Sequence, residues 1–261
     1  MVLSLRPKLV ILKKIKVGAV SYLNARPLIY GIKGSDMLKD EMEIVEEYPS
    51  RLVQMLVDDR IDMGLVPVAG ILSLKTPHIV SDYVIAATGA VASVCLFSQV
   101  PMEEIDTVLL DYQSRTSVNL CKVLMQFHWK KNVRYVWTNE EYADQIKGHT
   151  AGVIIGDRAL VQRKNFRHVY DLASEWVSFT GKPFVFAAWI ANKKIPEKFL
   201  EHFNEANARW AAYIDEIIEQ HPFPAYSLRH YFTHNINYEL TAGMKEGLAL
   251  FLDYMKQTDC V

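Results

Sequence analysis

From residue 16 to residue 191, short apolar runs alternate with longer stretches in which apolar residues return every three or four positions. That alternation limits the fold more than any other feature of the chain. A strand, a helix and a second strand close most readily as a parallel pair, because the helix carries the chain back across one face of the sheet. The spacing predicts strands at 16–20, 42–48, 61–66, 79–86 and 93–98, then at 107–111, 134–138, 152–155 and 184–191. Between them, residues 50–58 set Leu52, Val53, Leu56 and Val57 on one helical face, and residues 117–129 do the same with Leu120, Val123, Leu124 and Phe127. The fold class is α/β with largely parallel strands.

The first two-thirds of the chain contain a loose internal parallel. The strand at 16–20 runs into Ser21-Tyr22-Leu23-Asn24, and the strand at 107–111 runs into Ser114-Arg115-Thr116-Ser117, each followed by a helical stretch. Two such units suggest two lobes, with the polar turns facing each other beyond the carboxyl ends of the strands, where open α/β sheets bind ligands. The last third is helical: one long helix at 196–220 carries Phe199, Phe203, Ala206, Trp210 and Ile214 as its apolar stripe. Pro222 and Pro224 break it, a short helix follows, and residues 238–256 form the last helix. If the strand at 184–191 returns to the first lobe, residues 15–97 with 187–261 make one lobe and 98–186 the other. The crossings near Ser98 and Phe184 are then the hinge of a clamshell. This is the two-lobed layout of a type II periplasmic-binding-protein-like fold, with a cleft between the lobes.

Charge and cysteine content narrow the function. With 29 Lys+Arg against 30 Asp+Glu among 261 residues, no broad basic field exists for nucleic acid, although a local pocket for a small anion remains open. Half of the residues are hydrophobic and 23% charged, which fits a globular chain rather than a disordered one. Cys95, Cys121 and Cys260 have neither disulfide nor metal-ligand spacing and read as reduced thiols, the first two buried. At the start, the apolar run at 9–12 is cut by Lys13 and Lys14, so a frayed leader before residue 15 is expected rather than a signal peptide. No run approaches the roughly 20 apolar residues of a membrane span. A cytoplasmic protein without a membrane or nucleic-acid partner is the expectation.

Among residues that carry chemistry, Ser114-Arg115-Thr116-Ser117 stands out: hydroxyls, free helix N–H groups and a guanidinium together suit a carboxylate. The alternative is a Ser N-cap with a solvated Arg. Ser21 and Asn24 hold the equivalent place in the first unit, where Asn24 either meets a ligand hydroxyl or forms the turn. Small residues from Ala87 to Ala92 lead to Ser93, whose hydroxyl is either offered to a ligand or merely follows a tight connection. Asp157 is either a helix cap or a general base. Thr180-Gly181-Lys182-Pro183 reads as a turn first. His230 and His234 are four apart but lack a third metal ligand.

Taken together, Gly18-Ala19-Val20-Ser21-Tyr22-Leu23-Asn24 with Arg26-Pro27-Leu28, then Gly89-Ala90-Val91-Ala92-Ser93-Val94, resemble the chorismate dehydratases of the futalosine route to menaquinone. So do Asp111 with Ser114-Arg115-Thr116-Ser117-Val118, Ile155-Gly156-Asp157-Arg158-Ala159-Leu160, and Thr180-Gly181-Lys182-Pro183-Phe184-Val185-Phe186-Ala187. The resemblance covers about residues 15–255, and residues 67–75 depart from it. It implies a cofactor-free lyase that removes water from chorismate to give 3-[(1-carboxyvinyl)oxy]benzoate. Asn24 and Ser93 match its active-site Asn and Ser, and Ser21, Ser114, Arg115, Thr116, Ser117 and Asp157 are the expected substrate-binding residues. The proton acceptor is either Asp157 or a carboxylate of the substrate, and the substrate is favoured because Asp157 already has a capping role. A dihydroxynaphthoate synthase of the same pathway calls for a catalytic His that no matched motif supplies. A solute-binding protein for a small carboxylate calls for an export signal. Oligomeric state is not legible in the sequence.

Overall fold

A computed structural model describes residues 14–139 and 141–258; Cys260 and, apart from Lys14, the expected leader lie outside the described residues. Two separate sheets carry the fold. In the first, β1 (Ile15–Ala19) lies between β2 (Met42–Glu46) and β3 (Met63–Pro67), parallel to both. Helices α1 (Arg26–Lys33) and α2 (Pro49–Val57) make the crossovers. The sheet is extended by β10 (Phe184–Ala191), antiparallel to β3 and to β4 (His78–Ala87), and closed by β11 (Asn237–Glu239). The second sheet repeats the plan: β6 (Thr107–Leu110) lies parallel between β7 (Arg134–Trp137) and β8 (Thr150–Ile155). Beyond β8, β5 (Val94–Ser98) runs antiparallel, with β9 (His168–Asp171) outside it. Each sheet is thus a parallel trio plus antiparallel strands, more mixed than the expected parallel pattern.

The strand at 94–98 corrects the sequence-based division of the chain. A short connection of small residues after β4 suggests that β5 stays with the first sheet, since consecutive strands usually neighbour one another. Instead β5 pairs with β8 and β9. The chain crosses between sheets at residues 88–93, not near Ser98, and Phe184, Val185 and Phe186 belong with the first sheet. The composition of β5 explains its place. All five of its residues are buried, with Val94 and Leu96 in the main core and Cys95 and Phe97 in a second cluster on the opposite face. Cys121 is buried as well, on α3 (Arg115–Val123), and both thiols are unpaired.

The helical last third is more broken than its periodicity predicts. α6 (Glu197–Asn207) stops, a 3₁₀ turn spans Trp210–Tyr213, and α7 (Ile214–Gln220) resumes. The fully buried Asn207 side chain donates to the Phe203 carbonyl and accepts from the Trp189 indole N–H, a local bond of the kind that competes with the helical ladder. α8 (Leu228–His230) runs into a π turn at Tyr231–Asn235. The predicted helix at 238–256 begins later, because Asn237–Glu239 joins the sheet and Thr241 caps α9 (Ala242–Lys256).

α9 lies on the turn that returns the chain to the first sheet, and Gly247 permits the approach: a Cβ there would stand 2.1 Å from the Pro183 carbonyl oxygen. Gly247→Ala should lower stability by about 1–3 kcal/mol, the usual cost of overpacking. Gly89→Ala, where an added Cβ meets nothing within 4 Å, should leave the thermal midpoint nearly unchanged. Equal midpoints for the two variants in a thermal melt would contradict this packing.

Candidate functional site

A cavity of about 60 Å³ lies where the carboxyl ends of strands from both sheets meet. From the first sheet come Val20, Tyr22 and Asn24 after β1, Pro67 at the end of β3, and Phe186 and Ala187 of β10. The second sheet contributes Val94, Ile155 and Gly156, and the start of α3 adds Ser114, Thr116 and Ser117. A larger groove of about 750 Å³ runs along β4 beside α6 and α9 and shares no residue with this cavity. The smaller space is the candidate site, because it gathers the turns after β1 and β6 around apolar walls.

At the helix start, Ser114 is the N-cap: its Oγ accepts from the Ser117 N–H at 3.1 Å and lies 2.9 Å from the Ser117 hydroxyl. The capping reading of this turn is the one the geometry shows, and the capping residue Ser114 also lines the cavity. Helix geometry leaves the N–H groups of Arg115 and Thr116 without intrahelical acceptors, and the dipole favours an anion there. Arg115 itself is exposed and does not line the cavity. Consecutive helical residues point about 100° apart, so turning Thr116 inward turns the neighbouring guanidinium away. Ser21, the other expected binding residue, is likewise exposed and outside the lining.

Asn24 sits in a 3₁₀ turn at Leu23–Ala25, and its carbonyl accepts from the Tyr238 hydroxyl at 2.9 Å. Its side-chain Oδ1 is buried without a hydrogen-bond partner. Leaving a buried acceptor unpaired costs about 1–3 kcal/mol.

Ser93 is fully buried and is not itself part of the cavity lining, although Val91 and Val94 on either side of it are. It follows Ala92, whose φ of 63° is the left-handed value that a side chain disfavours. The Ser93 N–H closes a tight turn on the Val91 carbonyl at 2.8 Å. Asp171 holds that turn. Its carboxylate accepts the N–H groups of Val91 at 3.1 Å and Ala92 at 2.7 Å while capping α5 (Leu172–Thr180) through Ser174. Burial raises the Asp171 carboxyl above its usual range, opposed by those N–H groups and by Arg163.

Three hydrogen bonds tie the sheets together around the cavity. The Tyr22 hydroxyl donates to Gln113 Oε1 at 2.6 Å, the Leu23 N–H to Asp157 at 3.4 Å, and the Ala69 N–H to Thr116 Oγ1 at 3.1 Å. Asp157 is therefore not the cap of its own helix: α4 (Gly156–Gln162) begins with Ile155 as N-cap, and the carboxylate reaches across to the first sheet. Burial raises its pKa, with the Leu23 N–H and Arg26 pulling the other way. Behind Gln113, Arg158 donates to the fully buried Asp111 at 2.7 Å and to Gln113 Oε1 at 3.1 Å, and the Tyr142 hydroxyl donates to Asp111 at 2.8 Å. The sequence reading gave no role to Tyr22, Gln113 or Asp171. Their signal was there, in polar residues placed immediately after strands.

Other sequence candidates stay apart from the site. Gly181, with φ of 70°, ends α5, so Thr180 to Pro183 form a turn. The rings of His230 and His234 stack at 4.6 Å, and no metal-ligating group of three or more His, Cys, Asp or Glu occurs among the described residues. No helix among them is long and apolar enough to cross a membrane.

Residues 15–257 match a protein family described as menaquinone biosynthesis. A curated chorismate dehydratase of Thermus thermophilus is 25% identical over 91% of this chain and 93% of its own. Among solved structures, an Archaeoglobus fulgidus protein superposes with a TM-score of 0.72 at 14% identity, covering 94% of this chain and 97% of that one. A Candida albicans protein described as having the generic periplasmic binding protein fold gives 0.63 at 12% identity over 94% of each chain. The alkanesulfonate-binding protein SsuA of Xanthomonas axonopodis, bound to MOPS, gives 0.61 at 12% identity over 92% of this chain and 90% of its own. At such identities the structural likenesses show the fold, which is the two-lobed binding-protein fold.

The environment of Asp157 sets a pH-dependent stability. Its charged form is disfavoured in the folded chain, so the folded carboxyl keeps its proton to higher pH than the unfolded one. Stability is then lost as pH rises from the unfolded value of about 3.9 through the raised folded value, and stays lost at neutral pH. Asp157→Asn, which keeps an acceptor for the Leu23 N–H, should melt a few degrees higher than wild type at pH 7. That gain should vanish below about pH 3.9. A lower midpoint for the variant at pH 7 would contradict the assignment.

Proposed function

The chain belongs to the menaquinone biosynthesis family, and on that premise we propose that it is a chorismate dehydratase. The observation that carries the proposal is the pairing of opposites across one cavity: the buried, unpartnered side-chain oxygen Oδ1 of Asn24, and a helix start with three hydroxyls on the other sheet. Chorismate brings the complementary groups, a ring hydroxyl that donates and carboxylates that accept.

The reaction takes a proton from the ring carbon that bears the enolpyruvyl ether and a hydroxide from the neighbouring carbon. Together they leave as water, and the ring becomes aromatic as 3-[(1-carboxyvinyl)oxy]benzoate. Aromatisation supplies the driving force, so the protein's task is orientation and hydrogen bonding to developing charge. In this reading Ser114, Thr116, Ser117 and the α3 N–H groups hold one carboxylate, Asn24 Oδ1 holds the ring hydroxyl in line, and Ser93 donates to developing charge. A substrate carboxylate takes the proton. Asp157 instead engages the Leu23 N–H across the cleft, which suits closure rather than proton abstraction. Arg115, exposed and outside the cavity lining, is given no part in this reading.

A cavity of about 60 Å³ holds a water or two, whereas ligand sites run to roughly 300–1,000 Å³. The two sheets are therefore read as lobes that part to admit the dianion, with the crossings at 88–93 and 181–183 as the hinge. In this reading an enzyme drawing on chorismate works in the cytoplasm, beside its substrate.

Purified protein mixed with chorismate should release the aromatic product, followed by its mass and absorbance. Asn24→Ala and Ser93→Ala should each lower kcat by about 10²–10³, the usual loss for one preorganised hydrogen bond, while KM changes only a few-fold. Chorismate bound but unchanged would identify a binding protein instead. Full activity in both variants would overturn the residue assignments.

A further inference from the structure

The fully buried Tyr231 has no place in the reaction just described, yet its hydroxyl lies 2.7 Å from the Ser93 hydroxyl, which is equally buried. Tyr231 opens the π turn Tyr231–Asn235, a local widening of helix that often marks a functional position. The far end of the same turn grips the same loop: the Asn235 amide donates to the Ala90 carbonyl at 2.8 Å and accepts from the Tyr226 hydroxyl at 3.0 Å. A helical segment reached only in the last third of the chain thus holds the Ser93 loop at both ends. Asp171 holds its middle through the Val91 and Ala92 N–H groups.

We propose that Tyr231 is a positioning residue that fixes the rotor of the Ser93 hydroxyl and makes it a hydrogen-bond donor to the reacting ligand. A phenol is the better donor of the pair and the poorer acceptor, so the bond runs from Tyr231 to Ser93. A serine oxygen that accepts one such bond keeps its own proton for another direction. Accepting also polarises the hydroxyl and strengthens what it donates. With both hydroxyls buried, the Ser93 proton has no solvent to turn to. Burial raises the Tyr231 phenol far above its ordinary value, so it remains a donor throughout the pH range of an assay. The inference rests on the dehydratase reading, in which Ser93 is catalytic.

The test is a double-mutant cycle on the full chain with chorismate as substrate. Tyr231→Phe removes one oxygen and keeps the ring in place. It should lower kcat about tenfold or more, less than the 10²–10³ of a donor aimed at the reacting atoms. KM and the thermal midpoint should stay close to wild type. In a Ser93→Ala background the same substitution should cost no further activity, because its effect passes through Ser93. Wild-type turnover in Tyr231→Phe, an equal loss with and without Ser93, or a variant too unstable to assay would each overturn the proposal. A wild-type protein that leaves chorismate unchanged would instead overturn the dehydratase reading itself.

Discussion

The Asp171 carboxylate is the contact on which the rest of the site depends. It caps a helix of the second sheet and, with the same two oxygens, holds the N–H groups of Val91 and Ala92 in the strand connection that leaves the first sheet. A left-handed alanine is disfavoured by its Cβ, so this loop would relax to another shape without a fixed acceptor. Held as it is, the loop sends β5 into the second sheet, puts Val91 and Val94 on the cavity wall and leaves Ser93 facing Tyr231. One buried carboxylate thereby links topology, backbone strain and the placement of a hydroxyl.

Closure of the cavity rests on weaker contacts. The hydrogen bonds that Tyr22 and Ala69 donate between the sheets are each worth about 0.5–1.5 kcal/mol net, and the one from Leu23 to Asp157 is long at 3.4 Å. One of them engages Thr116, which lines the cavity at the start of α3, and another engages Asp157, next to the lining residue Gly156. The permanent contacts lie behind, in the Asp111, Arg158 and Tyr142 cluster, which keeps Gln113 aimed at Tyr22.

Much of this was legible in the sequence, for identifiable reasons. Strands with apolar faces and polar turns directly after them announce an α/β protein and the side on which it binds. That pattern singles out Asn24, Ser114, Thr116 and Ser117, which line the cavity in the fold. What escaped detection depends on direction and distance. Arg115 and Thr116 are neighbours in sequence, but only the structure tells which of them turns inward. β5 follows β4 after a short loop, and nothing local reveals that the two strands part to different sheets. β9 and β11 are too short to show a period. Tyr231 is separated from Ser93 by 138 positions and resembles one more core aromatic until the hydroxyl is located.

The central claim is that Asn24 Oδ1 and the start of α3 receive opposite ends of one small dianion. A crystal structure of the Ser93→Ala variant soaked with chorismate measures this directly. The account predicts parted lobes closed again around the ligand, the ring hydroxyl within hydrogen-bond distance of Asn24 Oδ1, and one carboxylate on Ser114, Thr116 and Ser117. Chorismate seated in the groove along β4, or an Asn24 Oδ1 still without a partner in the complex, would contradict it.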